Sequence, residues 1–70
     1  MFFVIYDHDM IWDDGSDCDT HIAEFTDRTA ALSFADDTHG RVRRDDDCID
    51  HRSVRCVMHD DNAIDWTPAG

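Results

Sequence analysis

Each of the three cysteines in the chain is followed by a histidine three positions later. The pairs are Cys18–His21, Cys48–His51 and Cys56–His59. Thiolate sulfur and imidazole nitrogen are ligands that zinc accepts, and two of them at this spacing bind one ion when the chain turns between them. A metal would also help so short a domain to fold. The spacing therefore indicates a small zinc-binding protein as one hypothesis.

Two features of these pairs weigh against zinc. The residues around Cys56 and His59 are typical of a strand, in which side chains three positions apart point to opposite faces. The pairs also offer six ligands where a structural zinc ion takes four, and the chain has no paired Cys-x2-Cys motif. We therefore predict no metal and no cofactor. Zinc remains an alternative, with Cys48, His51 and one further pair as its strongest subset.

The same residue types would suit nucleophilic catalysis, because a histidine activates a cysteine and a carboxylate orients the imidazole. Asp7, His8 and Asp9 provide such neighbours. A negative environment, however, raises the pKa of a thiol and suppresses the reactive thiolate. The sequence contains no glycine-rich phosphate loop, nucleophile elbow or cofactor fingerprint. We predict that the protein is not an enzyme.

Acidic residues dominate the composition of this 70-residue chain. It has 17 acidic residues, all aspartate except Glu24, against six arginines and no lysine, and its formal net charge is −11. Proteins bind nucleic acids by neutralising phosphates with Lys and Arg, so direct binding to nucleic acid is excluded. Anionic membrane surfaces repel such a chain for the same reason. Basic protein surfaces and cations remain as partners.

The aspartates come in short groups, several of which contain two carboxylates at i and i+2. In an extended chain this spacing puts both on one face, about 6.5–7 Å apart, which is comparable to the spacing of successive phosphates in DNA. Arginine and lysine side chains that hold phosphates would hold such pairs as well. The candidate partner-binding carboxylates are Asp7, Asp9, Asp13, Asp14, Asp17, Asp19, Asp36, Asp37, Asp45, Asp46, Asp47, Asp60 and Asp61.

Three other interpretations of the acidic groups stay open. Loop carboxylates keep a small protein soluble without a further role. Many aspartates with no lysine also resemble salt-adapted proteins, although a single glutamate is unusual for them. A calcium loop over Asp13–Asp19 is disfavoured, because its glycine is misplaced and no bidentate glutamate follows at the required distance.

The elements that must position these side chains are short. An apolar run over 2–6 predicts a buried strand, and 10–12, 20–25 and 53–59 predict further strands. Turns are expected at 13–17 and 60–62, with a return strand over 63–66. The charged segment 41–47 is expected to be a connector.

One helix is predicted over 27–38. Thr26 is a suitable N-cap, and Asp27 would lie in the first turn, where the helix dipole favours negative charge. An apolar stripe follows at helical spacing, with Leu32 and Phe34 as expected core residues. Gly40 is placed to end the helix.

Together these elements predict an α+β fold, with a small antiparallel sheet of three to five short strands and one α-helix packed on one face. We expect residues 1–70 to form a single domain with a frayed tail over 67–70. Three cysteines and the absence of a signal-like segment predict a reduced, cytoplasmic protein.

In its size, charge and mixed small-sheet and helix style, the whole chain resembles the small acidic phage-encoded inhibitors that imitate DNA, of the anti-CRISPR kind. The resemblance implies a steric and electrostatic inhibitor that occupies the basic DNA-recognition surface of a host protein. It implies that the partner is a subunit of a CRISPR effector complex, with type I favoured, and that the protein acts in the cytoplasm of the host cell. No sequence motif supports the resemblance, and it leaves the oligomeric state open.

Overall fold

Three long antiparallel strands make up most of the fold. The computed structural model describes residues 1–45 and 47–67. Five strands and one helix are assigned over these residues, and the strands form one antiparallel sheet of order β2-β1-β4-β3, with β5 paired to β4. The prediction of an α+β fold with a small antiparallel sheet and one helix is confirmed. In chain order the elements are β1 (Phe2–Trp12), β2 (Gly15–Phe25), α1 (Arg28–Thr38), β3 (Arg41–Asp45), β4 (Cys48–His59) and β5 (Asn62–Ala63).

β1 is one continuous strand of 11 residues, where the sequence predicted two short ones. The break was expected at Asp7-His8-Asp9, because charged residues are rare inside a central strand. The structure tolerates them because side chains of the neighbouring strands engage them. β2 likewise runs from Gly15, so the predicted turn over 13–17 contracts to Asp13 and Asp14.

The helix has nearly the predicted bounds, but Asp27 and not Thr26 is its N-cap. The Asp27 carboxylate accepts a hydrogen bond from the Ala30 backbone N–H at 3.0 Å, which satisfies one of the free donors at the helix start. At the other end Gly40 has φ +75°, a left-handed conformation that glycine adopts without strain. The helix ends at Thr38, because His39 is already extended. Gly40 lies at the position predicted for the stop, but its N–H bonds to the Arg52 carbonyl of β4 at 2.8 Å and directs the chain into β3.

The segment predicted as a connector is largely a strand. β3 pairs with β4 from Arg41 opposite Arg52 to Asp45 opposite Cys48. β4 begins five residues before the predicted strand, and the expected return strand over 63–66 is only β5. These strands form because they pair with β4, and no local pattern in the sequence predicts that pairing.

A small apolar cluster joins the helix to the sheet. Its buried members are Val4, Val54 and Val57 of the sheet and Ala31 and Ala35 of α1. Because side chains alternate along a strand, Val4 and Ile5 mark opposite faces of the sheet, here named the Val4 face and the Ile5 face. Leu32 and Phe34 pack against the cluster, in line with their expected core role.

No helix in the described part of the chain is long and apolar enough to cross a membrane. The predicted frayed tail lies outside the described residues, apart from Thr67.

Candidate partner-binding site

Two turns meet at one end of the sheet and form an acidic groove of about 220 Å³. The β1–β2 turn supplies Asp13, the end of β3 supplies Asp45, and Asp47 lies directly before β4. They come together because Trp12, just before the first turn, is paired with Cys48, just after the second. Asp14 follows Asp13 in the same turn, and all four carboxylates are exposed. We call these four residues the acidic end.

Apolar residues at the ends of β1 and β4 also line this groove. Trp12, Ile11, Cys48 and Ile49 line it together with the carboxylates, and Arg44 contributes one positive charge. Such a site suits a lysine or arginine side chain, whose stem packs on apolar surface while its charged head meets carboxylates. An indole face adds attraction for a cation. Arg44 was not singled out in the sequence, because its segment was predicted to be a connector.

Asp7 differs from the acidic end because both of its carboxylate oxygens are engaged within the protein. One accepts a hydrogen bond from the Thr20 hydroxyl at 2.7 Å, and the other from Arg55 Nε at 2.7 Å. Arg55 reaches Asp7 because a bulge in β4 shifts the register between β1 and β4 beside Ile5 and Tyr6. These hydrogen bonds lower the pKa of Asp7, and the one from Arg55 has the larger effect.

Asp9 lies in a polar row across the Ile5 face, between Cys18 of β2 and His51 of β4. Its Oδ2 is 3.7 Å from His51 Nδ1. A hydrogen bond with Asp9, followed by burial and the charge of the carboxylate, raises the pKa of the Cys18 thiol to about 11. The thiol is therefore protonated and weakly nucleophilic at neutral pH.

Two further predicted carboxylates contact groups of the protein itself. Asp36 on α1 accepts a hydrogen bond from Trp66 Nε1 at 3.0 Å. Asp60 has φ +52° in the β4–β5 turn and lies 3.2 Å from the N-terminal ammonium group of Met1. These contacts give both residues a structural role in addition to their charge.

The remaining predicted carboxylates lie at separate places on the surface. Asp17 and Asp19 are exposed on β2, Asp37 is exposed on α1, and Asp61 is exposed in the β4–β5 turn. Asp46 lies outside the described residues. The structure thus gathers Asp13, Asp14, Asp45 and Asp47 at one end and distributes the other described carboxylates along the molecule.

The Cys-x2-His pairs all lie on strands, and each pair is split between the two faces. Cys18 is opposite Asp9 on the Ile5 face, whereas His21 is opposite Tyr6 on the Val4 face. The pairs in β4 are divided in the same way, and His59 stacks on Phe2 with ring centroids 4.3 Å apart. Over residues 1–45 and 47–67, no three His, Cys, Asp or Glu side chains are gathered as metal ligands. The geometry gives the zinc alternative no site among these residues.

One charged group that the sequence analysis overlooked lies on the Val4 face. His8 Nε2 is 2.7 Å from Asp50 Oδ1, and Arg52 Nε is 3.7 Å from the same oxygen. The short His8–Asp50 contact lacks the angles of a hydrogen bond. The alternation of Arg41, Val42 and Arg43 is a weak strand signal, and only the pairing of β3 with β4 places these residues beside the group.

Comparison with known proteins assigns no relative to the chain. No protein-family model matches it, and no curated protein or solved structure does.

Proposed function

We propose that the protein is an acidic DNA mimic that binds the basic DNA-binding surface of another protein and blocks its access to DNA. The observation that carries the proposal is the acidic end, where Asp13, Asp45 and Asp47 line one groove together with Trp12. A groove of this size and lining suits one lysine or arginine side chain of a partner, and Asp14 adds a charge beside it.

Shape and charge support the same function. The molecule measures 38 × 22 × 17 Å, so it is elongated. Eleven net negative charges over 38 Å correspond to about one per 3.5 Å. Duplex DNA carries one per about 1.7 Å. At half that density, the protein competes for a basic groove through charge together with a close local contact.

The partner follows from this chemistry and from the class resemblance. A protein that holds phosphates with arginine and lysine is the chemical match, and association with it is fast and steered at low salt. The first partner to test is therefore a DNA-binding subunit of a type I CRISPR effector complex. The helix α1 shares the core cluster with the valines of the Val4 face. It therefore packs on that face and leaves the acidic end open to a partner.

The test is a salt-step capture experiment with the tagged full chain and a lysate of a CRISPR-bearing bacterium. We expect a DNA-binding subunit, identified by mass spectrometry, to elute at moderate salt, and excess duplex DNA to prevent its capture. The variant D13N/D14N/D45N/D47N removes the acidic end and should weaken binding of the purified subunit at least about tenfold.

A matched control separates the site from overall charge. The variant E24Q/D37N/D61N/D65N removes four exposed carboxylates elsewhere and produces the same net charge. It should weaken binding by no more than about threefold. Retention of no basic protein would refute DNA mimicry, whereas equal losses in the two variants would refute the acidic end as the contact.

A further inference from the structure

A second concave site lies on the Val4 face and has the opposite charge. Arg41, Arg43, Arg52 and Asp50 line a cavity of about 240 Å³ between β3 and β4. The register places Arg41 directly opposite Arg52, and Arg43 directly opposite Asp50. Half of the six arginines in the chain therefore meet in one cavity.

The charges in this cavity are not balanced by their neighbours. Like charges directly opposite each other destabilise an antiparallel pair. Asp50 is the one carboxylate lining the cavity among residues 1–45 and 47–67, and its Oδ1 is shared between His8 and Arg52. Among the described residues, no carboxylate oxygen lies within 4 Å of the guanidinium nitrogens of Arg41 or Arg43. The cavity thus has a local excess of positive charge in a chain whose net charge is −11.

We propose that this arginine pocket binds a phosphate group, either as inorganic phosphate or as the phosphate of a small ester. A guanidinium group donates two parallel hydrogen bonds to a phosphate, and three such groups around one cavity match a doubly charged tetrahedral anion. The ligand is small, because pockets for larger organic ligands measure about 300–1,000 Å³. A bound anion would also relieve the repulsion between Arg41 and Arg52.

The arginine pocket is independent of the proposed DNA mimicry. Its residues belong to the Val4 face between β3 and β4, whereas the acidic groove lies at the end of the sheet. Arg44 faces that groove, and Arg41 and Arg43 line the arginine pocket. Substitutions in one site can therefore be tested without altering the other.

The experiment is a titration of the ¹⁵N-labelled full chain with inorganic phosphate, followed by amide NMR shifts at constant ionic strength. We expect saturable shifts confined to residues 41–43 and 50–52, with a Kd below about 1 mM. Sodium chloride at matched ionic strength should produce no saturable shift. Arg41→Gln and Arg43→Gln should each weaken phosphate binding at least about tenfold.

Two further variants keep the result interpretable. Arg28→Gln removes an exposed arginine at the start of α1 and should leave the Kd within about twofold of the parent. Arg43→Lys keeps the charge and the fold but lacks the planar fork, and should weaken binding several-fold. Shifts that do not saturate, or an equal loss in Arg28→Gln, would show ionic screening only and overturn the proposal.

Discussion

Asp7 on β1 bridges its two neighbouring strands, with Thr20 of β2 on one side and Arg55 of β4 on the other. The sequence marked it as a binding carboxylate because it is separated from Asp9 by one residue. The structure gives its oxygens internal partners instead. Residues of this kind hold the fold, whereas those of the acidic end are exposed and able to meet a partner.

The pKa of Asp7 makes its structural role measurable. Because hydrogen bonds lower this pKa in the folded protein, the stabilisation is fully present above the unfolded value, about 3.9. It is lost as pH falls through the folded value. We expect Asp7→Asn to be less stable than the parent at pH 7, and the difference to shrink steadily below about pH 4.

Urea denaturation midpoints between pH 2.5 and 7 would measure this difference. Asp61→Asn, at an exposed turn position, should match the parent at every pH. Combining Asp7→Asn with Arg55→Gln should cost little more than either change alone, because both remove the same bond. A pH-independent loss in Asp7→Asn would exclude the ionised carboxylate as its cause.

At the scale of elements, the core is small, and the valines of the sheet differ widely in burial. Val57 on β4 is fully buried in the cluster with Val4, whereas Val42 on the edge strand β3 is 54% exposed. Removing two methyl groups from a buried valine costs both their transfer free energy and a cavity. The same change at an exposed position costs little.

We therefore expect Val57→Ala to lower the free energy of unfolding by about 2 kcal/mol. Val42→Ala should lower it by less than about 0.5 kcal/mol. Chemical denaturation of both variants, analysed with a common slope, would measure the two values. Equal effects would mean that the cluster around Val57 does not bear most of the stability.

The helix was predictable from the sequence because its signals are local. Its apolar spacing, together with a capping residue before it and a glycine two residues after it, predicts its bounds within one residue. The N-cap was assigned one residue too early, since Thr26 and Asp27 are both good capping residues and only the backbone conformation selects between them. The turn predicted at 60–62 was also local, and the structure confirms it at 60 and 61, while Asn62 already begins β5.

The long strands were not predictable in the same way. Asp7, His8 and Asp9 interrupt the apolar pattern of β1, and their partners Arg55 and Asp50 lie more than 40 positions away. Segment 41–45 has no strand signal beyond one alternating valine. The acidic end required these pairings, because the two turns meet only when β1 and β4 are aligned along their whole length.

At the scale of the whole molecule, the net charge opposes folding. Negative charges repel one another over the 38 Å length of the protein. The Debye length is about 30 Å at 10 mM salt and about 8 Å at 0.15 M, so moderate salt already screens most of this repulsion. A salt-adapted protein, one of the alternatives that the sequence leaves open, would instead need molar salt to fold.

We expect the chain to be folded at 10 mM NaCl and its thermal midpoint to rise by about 5 °C on going to 0.5 M, mostly below 0.15 M. The charge-reduced variant D13N/D14N/D45N/D47N should show a smaller rise, because less repulsion remains to be screened. Circular dichroism melts across a NaCl series would measure both slopes. An unfolded chain at low salt, with folding only above about 1 M, would favour salt adaptation and argue against an inhibitor that meets its partner at moderate ionic strength.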